Sequence, residues 1–409
     1  MRNHWGRFTA KGDASVEATI TDLVGEVAEV VRNAVPAPRY RALLLIGGYG
    51  RGEGGVEVRN GISRPHNNLD FLLLTVGLDA AARNRLKERL DELLLPLARR
   101  YDIGIEMGVI PAWKLRYSPC LVMWYDVRFG HKTVLGDAQF VPSLSHFRVD
   151  RILPSDVRWL LVNRGTQIVI NDFLIARGPV SSEERRFIIK LAMKAIIGYG
   201  DALLFFLGDY HWSYEEKARR MRARRDVDER FQRVYDEAVA FRFQPRYEDY
   251  AARDLAAWMD DLRGQFVPIH VECESRRLRR TGWEWKAYPE LALRQAVFDE
   301  ALSPRAALKK ARNVLRGPRY PGHAGPLVRL GYRCCGQRGL LPLCFPVPAY
   351  NVPDPAYREL AKAALDAQSA DTPELRRAYL YYWGRQVDPN FFKVVRQFSL
   401  ALAPGGTVP

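Results

Sequence analysis

Residues 46–70 read IGGYGRGEGGVEVRNGISRPHNNLD, a glycine-rich segment that lies between two short apolar runs. The runs RALLLI at 41–46 and FLLLTV at 71–76 have the continuous apolar character of buried strands. Glycine has no side chain, so backbone N–H groups in such a segment can approach an anion closely. The segment therefore predicts either a phosphate-binding turn between two strands or, less informatively, a tight surface turn.

Two common nucleotide-binding motifs do not account for this segment. Gly50, Gly52 and Gly55 match the G-x-G-x-x-G pattern of dinucleotide-binding folds. That pattern must open a helix, whereas Gly61 and Pro65 occur where the helix would run. The chain also lacks the G-x-x-x-x-G-K-[ST] pattern of a P-loop.

The glycines combine with LDF at 69–71 and WYDVRFG at 124–130 into a pattern that resembles the nucleotidyltransferase superfamily, whose members share a DNA polymerase beta-like fold. The wording GGYGRGE at 47–53 is closest to the PII-protein uridylyltransferases. The resemblance covers roughly residues 43–137. It implies a strand, a Gly-Gly turn, an Asp-x-Asp pair at the start of the next strand, and a third carboxylate on a later strand.

The resemblance assigns nucleotide contacts to several residues. Gly47 and Gly48 are expected to form the turn that receives the triphosphate, and Arg51 is expected to contact a phosphate. Lys190 and Lys194 are weaker candidates for the same role. They are four residues apart on one face of a predicted apolar helix, so both can face one ligand or simply line the edge of a helical bundle.

The resemblance also implies a metal site for Mg²⁺, with Mn²⁺ as a substitute. Asn68 and Asp70 occupy the Asp-x-Asp positions, and Asp126 occupies the position of the third carboxylate. Asp70 and Asp126 are thus the expected catalytic metal ligands, with the neutral Asn68 as a weaker one. Three explanations of Asn68 remain open: Glu53 or Glu106 supplies the missing carboxylate, one ion suffices, or the domain binds a nucleotide without turning it over.

The order of elements predicts an α+β protein. We expect a nucleotidyltransferase-like domain with a mixed sheet and flanking helices over 1–150, a helical domain that closes the nucleotide cleft over 151–316, and a Pro/Gly-rich connection with a helical region over 317–409. The run at 187–208 is apolar but carries charges at about one per helical turn or two, which favours a core helix over a membrane span.

The composition of the chain restricts the kinds of partner that we expect it to bind. The formal charge of +15 favours an anionic partner, such as a nucleoside triphosphate. Nucleic acid is possible but less favoured, because the aromatic residues do not interleave with the basic runs. The N-terminus lacks an export signal, and the five cysteines, an odd number, suit a reducing compartment, so a cytoplasmic location is expected.

Two functions follow from these observations. The first is an Mg²⁺-dependent nucleotidyltransferase that transfers a nucleoside monophosphate from a nucleoside triphosphate to a hydroxyl group of a small molecule or protein. The second is a catalytically impaired nucleotide-binding or scaffold protein, in which Asn68 marks the loss of the first metal-binding carboxylate.

Overall fold

A computed structural model describes residues 4–297, 304–322 and 324–402. The chain divides into two compact units. Unit 1 comprises Met1–Asp156 and Asp209–Asp249, and unit 2 comprises Val157–Gly208 and Tyr250–Pro409. Residues 209–249, which the sequence analysis placed in the helical domain, thus belong to the unit that contains the glycine-rich segment.

The strands all lie in unit 1 among the residues that the structure describes. They are β1 (Tyr40–Ile46), β2 (Val56–Arg59), β3 (Ile62–Pro65), β4 (Leu69–Thr75), β5 (Ile105–Pro111) and β6 (Lys132–Gly136).

Helices flank the sheet in unit 1 and make up the described regular structure of unit 2, apart from short 3₁₀ turns. They are α1 (Ala14–Ala34), α2 (Gly47–Arg51), α3 (Ala80–Tyr101), α4 (Ala112–Arg116), α5 (Val122–Phe129), α6 (Pro154–Ile175), α7 (Ser182–Phe206), α8 (Tyr214–Ala223), α9 (Glu229–Phe243), α10 (Leu255–Leu278), α11 (Tyr288–Ala296), α12 (Pro304–Arg316), α13 (Pro326–Cys344), α14 (Pro346–Tyr350), α15 (Pro355–Ala364), α16 (Thr372–Gln386) and α17 (Phe391–Gln397).

The four-stranded sheet has the order β5-β4-β1-β6, and β2 and β3 form a separate hairpin. β1 is antiparallel to β4 and to β6, whereas β4 is parallel to β5. The sheet is therefore mixed. This arrangement confirms the predicted α+β class, with a small mixed sheet near the N-terminus and a helical C-terminal region.

One face of this sheet carries the core of unit 1. Alternate residues of β4, including Leu69, Phe71 and Leu73, are buried in one cluster with apolar residues of α1 and α3. Because successive side chains of a strand point to opposite faces, Asp70 projects from the face opposite this cluster. Its register partner on β5 is Glu106, which therefore shares that opposite face.

The segment around Asp126 departs from the prediction. The run LVMWYDVRFG was expected to be a strand, but residues 122–129 form the helix α5, so the prediction that Asp126 lies on a strand is wrong. An apolar run of this length does not distinguish a strand from a buried helix. The carboxylate of Asp156 accepts a hydrogen bond from the N–H of Val122 at 2.8 Å and satisfies one free donor at the start of the helix.

The helices of unit 2 bury both apolar side chains and a charged pair. The predicted core helix is confirmed as α7, which begins with a capping box formed by Ser181 and Glu184. In α10, the buried Glu274 accepts hydrogen bonds from Arg277 at 2.7 and 2.8 Å. No helix in the described part of the chain combines the length and apolarity that a bilayer crossing requires.

Candidate functional site

The turn predicted after β1 is observed as the five-residue helix α2, Gly47–Arg51, which is called the glycine turn below. Gly47 has φ +68°, a conformation that residues with a side chain rarely adopt. A Cβ at this position would lie 2.6 Å from Oδ2 of Asp70, which is closer than real Cβ contacts come. The turn therefore requires glycine for two reasons, the backbone angle and the close approach of the Asp70 carboxylate.

Asn68, Asp70 and Glu106 lie together at the edge of the sheet where β4 and β5 both begin. Asp70 and Glu106 are register partners on these parallel strands. Asn68 donates from Nδ2 to Oε1 of Glu106 at 2.7 Å. Asn68 and Glu106 are exposed, and Asp70 is half-buried. Asn68 and Glu106 thus contact each other, and Asp70 shares the face of Glu106 and lies beside the glycine turn.

A cation that the sequence analysis missed also lies at this turn. Nη2 of Arg242, near the end of α9, is 3.2 Å from where a Cβ of Gly48 would be. Its guanidinium lies over the ring of Tyr214 at 4.3 Å from the centroid. Its Nε is buried without a hydrogen-bond partner, and no carboxylate within the described ranges forms an ion pair with it. No motif around Arg242 could have identified it.

Arg51 and Asp126 form a largely buried ion pair. Nη2 of Arg51 is 2.6 Å from Oδ2 of Asp126, and the two side chains are 10% and 12% exposed. Tyr210 donates its hydroxyl hydrogen to the other carboxylate oxygen at 3.0 Å. Burial by itself lowers the pKa of Arg51, but Asp126, Tyr214, Tyr210 and Glu53 together outweigh burial, so this pKa lies above its ordinary value. Both oxygens of Asp126 therefore already accept hydrogen bonds from neighbouring side chains.

Glu53, one of the two possible replacements for the missing carboxylate, holds the start of α8. It accepts hydrogen bonds from Oγ of Ser213 at 2.5 Å and from the N–H groups of Tyr214 and Glu215 at 2.9 and 3.3 Å. Glu53 is buried. These bonds position Tyr214 beside Arg242, which gives Glu53 a supporting role. Glu106, the other possible replacement, contacts Asn68 directly.

Lys190 and Lys194 lie on α7 in unit 2, where both are half-buried. They are one helical turn apart on the same helix, as predicted. The glycine turn belongs to unit 1. Their proposed contact with a phosphate stays a prediction.

The oxygen donors of the site suit a hard cation. Mg²⁺ in nucleotide-dependent enzymes is usually held by one or two carboxylates together with substrate phosphates. Asp70 and Glu106 offer two carboxylates, and Asn68 offers an amide oxygen. A cluster of three or more His, Cys, Asp or Glu side chains with the geometry of a metal site is absent from the described residues. The donor set therefore fits an ion that also requires ligands from a substrate.

The arrangement combines a glycine turn, a cation and a pair of carboxylates. Such a set can hold a phosphate chain and the metal ion that accompanies it. Comparisons of the chain with protein-family models, with curated proteins and with solved structures find no match.

Proposed function

We propose that the protein is a nucleotidyltransferase that transfers a nucleoside monophosphate from a nucleoside triphosphate to a hydroxyl group. One observation carries this proposal. Asn68, Asp70 and Glu106 meet at the edge of the mixed sheet, with the Asp70 carboxylate in contact with the Gly47 turn. These contacts support the part of the superfamily pattern that joins a glycine turn to an acidic strand.

Asp70 and Glu106 would hold the metal ion, with Mg²⁺ as the expected ion and Mn²⁺ as a substitute. When bound, the ion neutralises charge on the phosphates and lowers the pKa of the attacking hydroxyl. Like charges directly opposite each other on paired strands are destabilising, so a cation between Asp70 and Glu106 relieves that repulsion. Glu106 replaces Asp126 in this role, because the oxygens of Asp126 accept from Arg51 and Tyr210.

The triphosphate would lie along the glycine turn. Gly47 and Gly48 have no side chains, so a phosphate can approach their backbone N–H groups closely. Arg242 supplies a positive charge at the same turn. Arginine suits this role because its planar fork of N–H donors matches phosphate geometry. Arg51 contributes indirectly, since its charge is compensated by Asp126.

A second candidate function is nucleotide binding without turnover, and the state of Asn68 favours it. This residue is neutral, and its amide is hydrogen-bonded to Glu106, so the site has one carboxylate fewer than the superfamily pattern implies. Loss of one anionic ligand weakens the binding of a divalent ion. It affects phosphate binding at Arg242 much less.

The test measures the binding of each of the four nucleoside triphosphates in Mg²⁺ and in Mn²⁺, and it measures turnover by the release of pyrophosphate. The natural protein is expected to bind at least one of them and release pyrophosphate. Arg242→Gln should weaken nucleotide binding about tenfold, because a charge-assisted hydrogen bond is lost. Arg246→Gln is the matched control, since Arg246 is exposed on the same segment.

The outcomes separate the two functions. Binding that depends on Arg242, without pyrophosphate release under any condition, supports the non-catalytic function. Absence of binding by all four nucleotides, in a protein that is folded by circular dichroism, contradicts both.

A further inference from the structure

A cavity of about 580 Å³ lies at the C-terminal end of α8 and the turn that follows it, in unit 1. Four arginines and two aspartates account for most of its lining: Arg219, Arg220, Arg224, Arg225, Asp209 and Asp226. Its volume lies within the range of roughly 300–1,000 Å³ that is typical of small-molecule sites. The proposed nucleotidyltransferase reaction uses none of these residues.

The arginines of the cavity are held in place by neighbouring groups. Arg224 donates to Asp226 at 2.7 Å and to Asp209 at 2.6 Å. Arg220 donates to Glu216 at 2.7 Å and to the backbone oxygen of Asp209 at 3.1 Å. Because these side chains are already ordered, a ligand that contacts them loses less side-chain entropy on binding than it would with free side chains.

These bonds do not use every donor. A guanidinium carries five N–H groups. Arg219 donates to Glu216 from Nε and Nη2, and Arg220 donates from Nε and Nη1, so Nη1 of the first and Nη2 of the second retain their hydrogens for a ligand. Arg225 is exposed and forms no ion pair or hydrogen bond with any residue in the described part of the chain.

The charges around the cavity leave a positive excess. Its arginines outnumber the two lining aspartates, and Glu216 behind them compensates one more positive charge. A ligand that satisfies several guanidinium forks at once must carry several closely spaced anionic oxygens. Phosphate groups have this geometry and bind arginine through paired hydrogen bonds.

We propose that this cavity is a second anion site, which binds a small phosphorylated polyanion. The ligand class comprises inorganic polyphosphates and the phosphate chain of a nucleotide, which present the same oxygens to the arginines. The site is separate from the glycine turn, because the ten-residue helix α8 runs from Tyr214, beside Arg242, to the cavity and is about 15 Å long. The proposal does not depend on the proposed function.

The test measures the binding of inorganic tripolyphosphate to the full chain by isothermal titration calorimetry, in EDTA to remove divalent ions. The natural protein is expected to bind it saturably. Arg225→Glu should weaken binding about tenfold, because it removes a guanidinium and adds a repulsive charge. Arg219→Gln, which leaves the other arginines in place, should weaken it in the same direction.

Two further variants make this result specific. Arg89→Glu changes the net charge by the same amount at an exposed arginine outside the cavity, so it should leave the affinity unchanged. Arg242→Gln removes the cation of the glycine turn and should leave the Arg225-dependent binding intact. An equal loss of affinity in Arg89→Glu, dependence on Arg242 alone, or absence of saturable binding would overturn the proposal.

The source of the phosphates is resolved by a parallel titration with a nucleoside triphosphate in the Arg242→Gln background. Equal affinity for nucleotide and tripolyphosphate supports recognition of the phosphate chain only. Tighter, Arg225-dependent binding of the nucleotide supports the same site with a nucleoside contact.

Discussion

Unit 1 contains two groups of carboxylates whose oxygens are satisfied in different ways. Asp126 and Glu53 are buried and accept hydrogen bonds from neighbouring groups on both oxygens. Glu106, by contrast, is exposed. It is the register partner of Asp70, a second acid, and it accepts a hydrogen bond from Asn68. Carboxylates of the first group stabilise the fold. Those of the second are the ones that we propose as metal ligands.

The difference shows that position in a motif does not by itself decide the role of an acid. Asp126 matches the sequence pattern of the superfamily, yet it compensates the charge of Arg51. Glu106 is not part of that sequence pattern, yet it lies directly opposite Asp70 on the neighbouring strand. Like charges directly opposite each other on paired strands are destabilising, so Asp70 and Glu106 have a cost that the Arg51–Asp126 pair lacks.

The largest expected effect on stability belongs to the buried group. Asp126→Ala should lower the free energy of unfolding by about 3–5 kcal/mol, because it leaves the Arg51 guanidinium buried and uncompensated. Urea denaturation measures this change. The combined replacement Arg51→Met with Asp126→Leu should cost much less, since it removes both charges. A fully stable Asp126→Ala protein would place Asp126 with the ligand-binding acids.

Unit 2 contains a buried histidine that should make the folding stability depend on pH. His270 is fully buried, and burial lowers its pKa from 6.5 to about 4, although Glu274 opposes the shift. In the unfolded chain the imidazole accepts a proton below pH 6.5, whereas in the folded chain it stays neutral until pH 4. Folding stability should therefore decrease as the pH falls from 6.5 to 4, by about 3 kcal/mol at most.

Denaturant unfolding at pH 7 and at pH 4.5 tests this effect. His270→Asn should lose less stability between the two pH values than the natural protein. His4→Asn, at an exposed histidine, should behave like the natural protein. The same pH dependence in all three proteins would contradict a burial-driven shift at His270.

The glycine turn allows a matched pair of substitutions. Gly47→Ala and Gly61→Ala both place a side chain at positive φ, which costs about 1–2 kcal/mol. Only the first also places a Cβ 2.6 Å from the Asp70 carboxylate, whereas a Cβ at Gly61 would have no atom within 4 Å apart from its chain neighbours. Gly47→Ala should therefore lower the melting temperature more than Gly61→Ala and should also weaken Mn²⁺ binding. Equal effects of the two substitutions would show that the contact with Asp70 is unimportant.

The smallest expected effect is an increase in metal affinity. Asn68→Asp adds a carboxylate beside Glu106 and should strengthen Mn²⁺ binding about tenfold, or about 1.4 kcal/mol. Titration calorimetry measures this affinity. Asn67→Asp adds the same charge one residue earlier and is the control, expected to change the affinity little. If both substitutions strengthen binding equally, the gain reflects net charge and not the position of Asn68.

Much of the sheet of unit 1 could be predicted from sequence. The runs at 41–46 and 71–76 are observed as strands at 40–46 and 69–75, because a continuous apolar run that ends in glycine or a charged residue is typical of a buried strand. Residues 79–101 have the alternation of apolar and charged residues that is typical of an amphipathic helix, and a helix is observed over 80–101. These elements depend on local periodicity, which the sequence contains.

The pairings that define the site could not be predicted in this way. Arg51 and Asp126 are 75 residues apart, and the capping of α5 by Asp156 crosses 34 residues. Arg242 reaches the glycine turn from a helix without a recognisable motif. Glu106 could be named only as an alternative, because its role depends on the register of β5 against β4. Such contacts follow from packing, which a single sequence does not reveal.

The most direct test of the central claim compares Glu106→Gln with Asp126→Asn in pyrophosphate release, beside Asp70→Asn and the natural protein. Activity is normalised to the folded fraction. Loss of a metal-binding carboxylate should slow the reaction about 10³-fold in Asp70→Asn and Glu106→Gln. Asp126→Asn should retain its activity per folded molecule. An inactive but folded Asp126→Asn protein, together with an active Glu106→Gln protein, would contradict the assignment of the two groups.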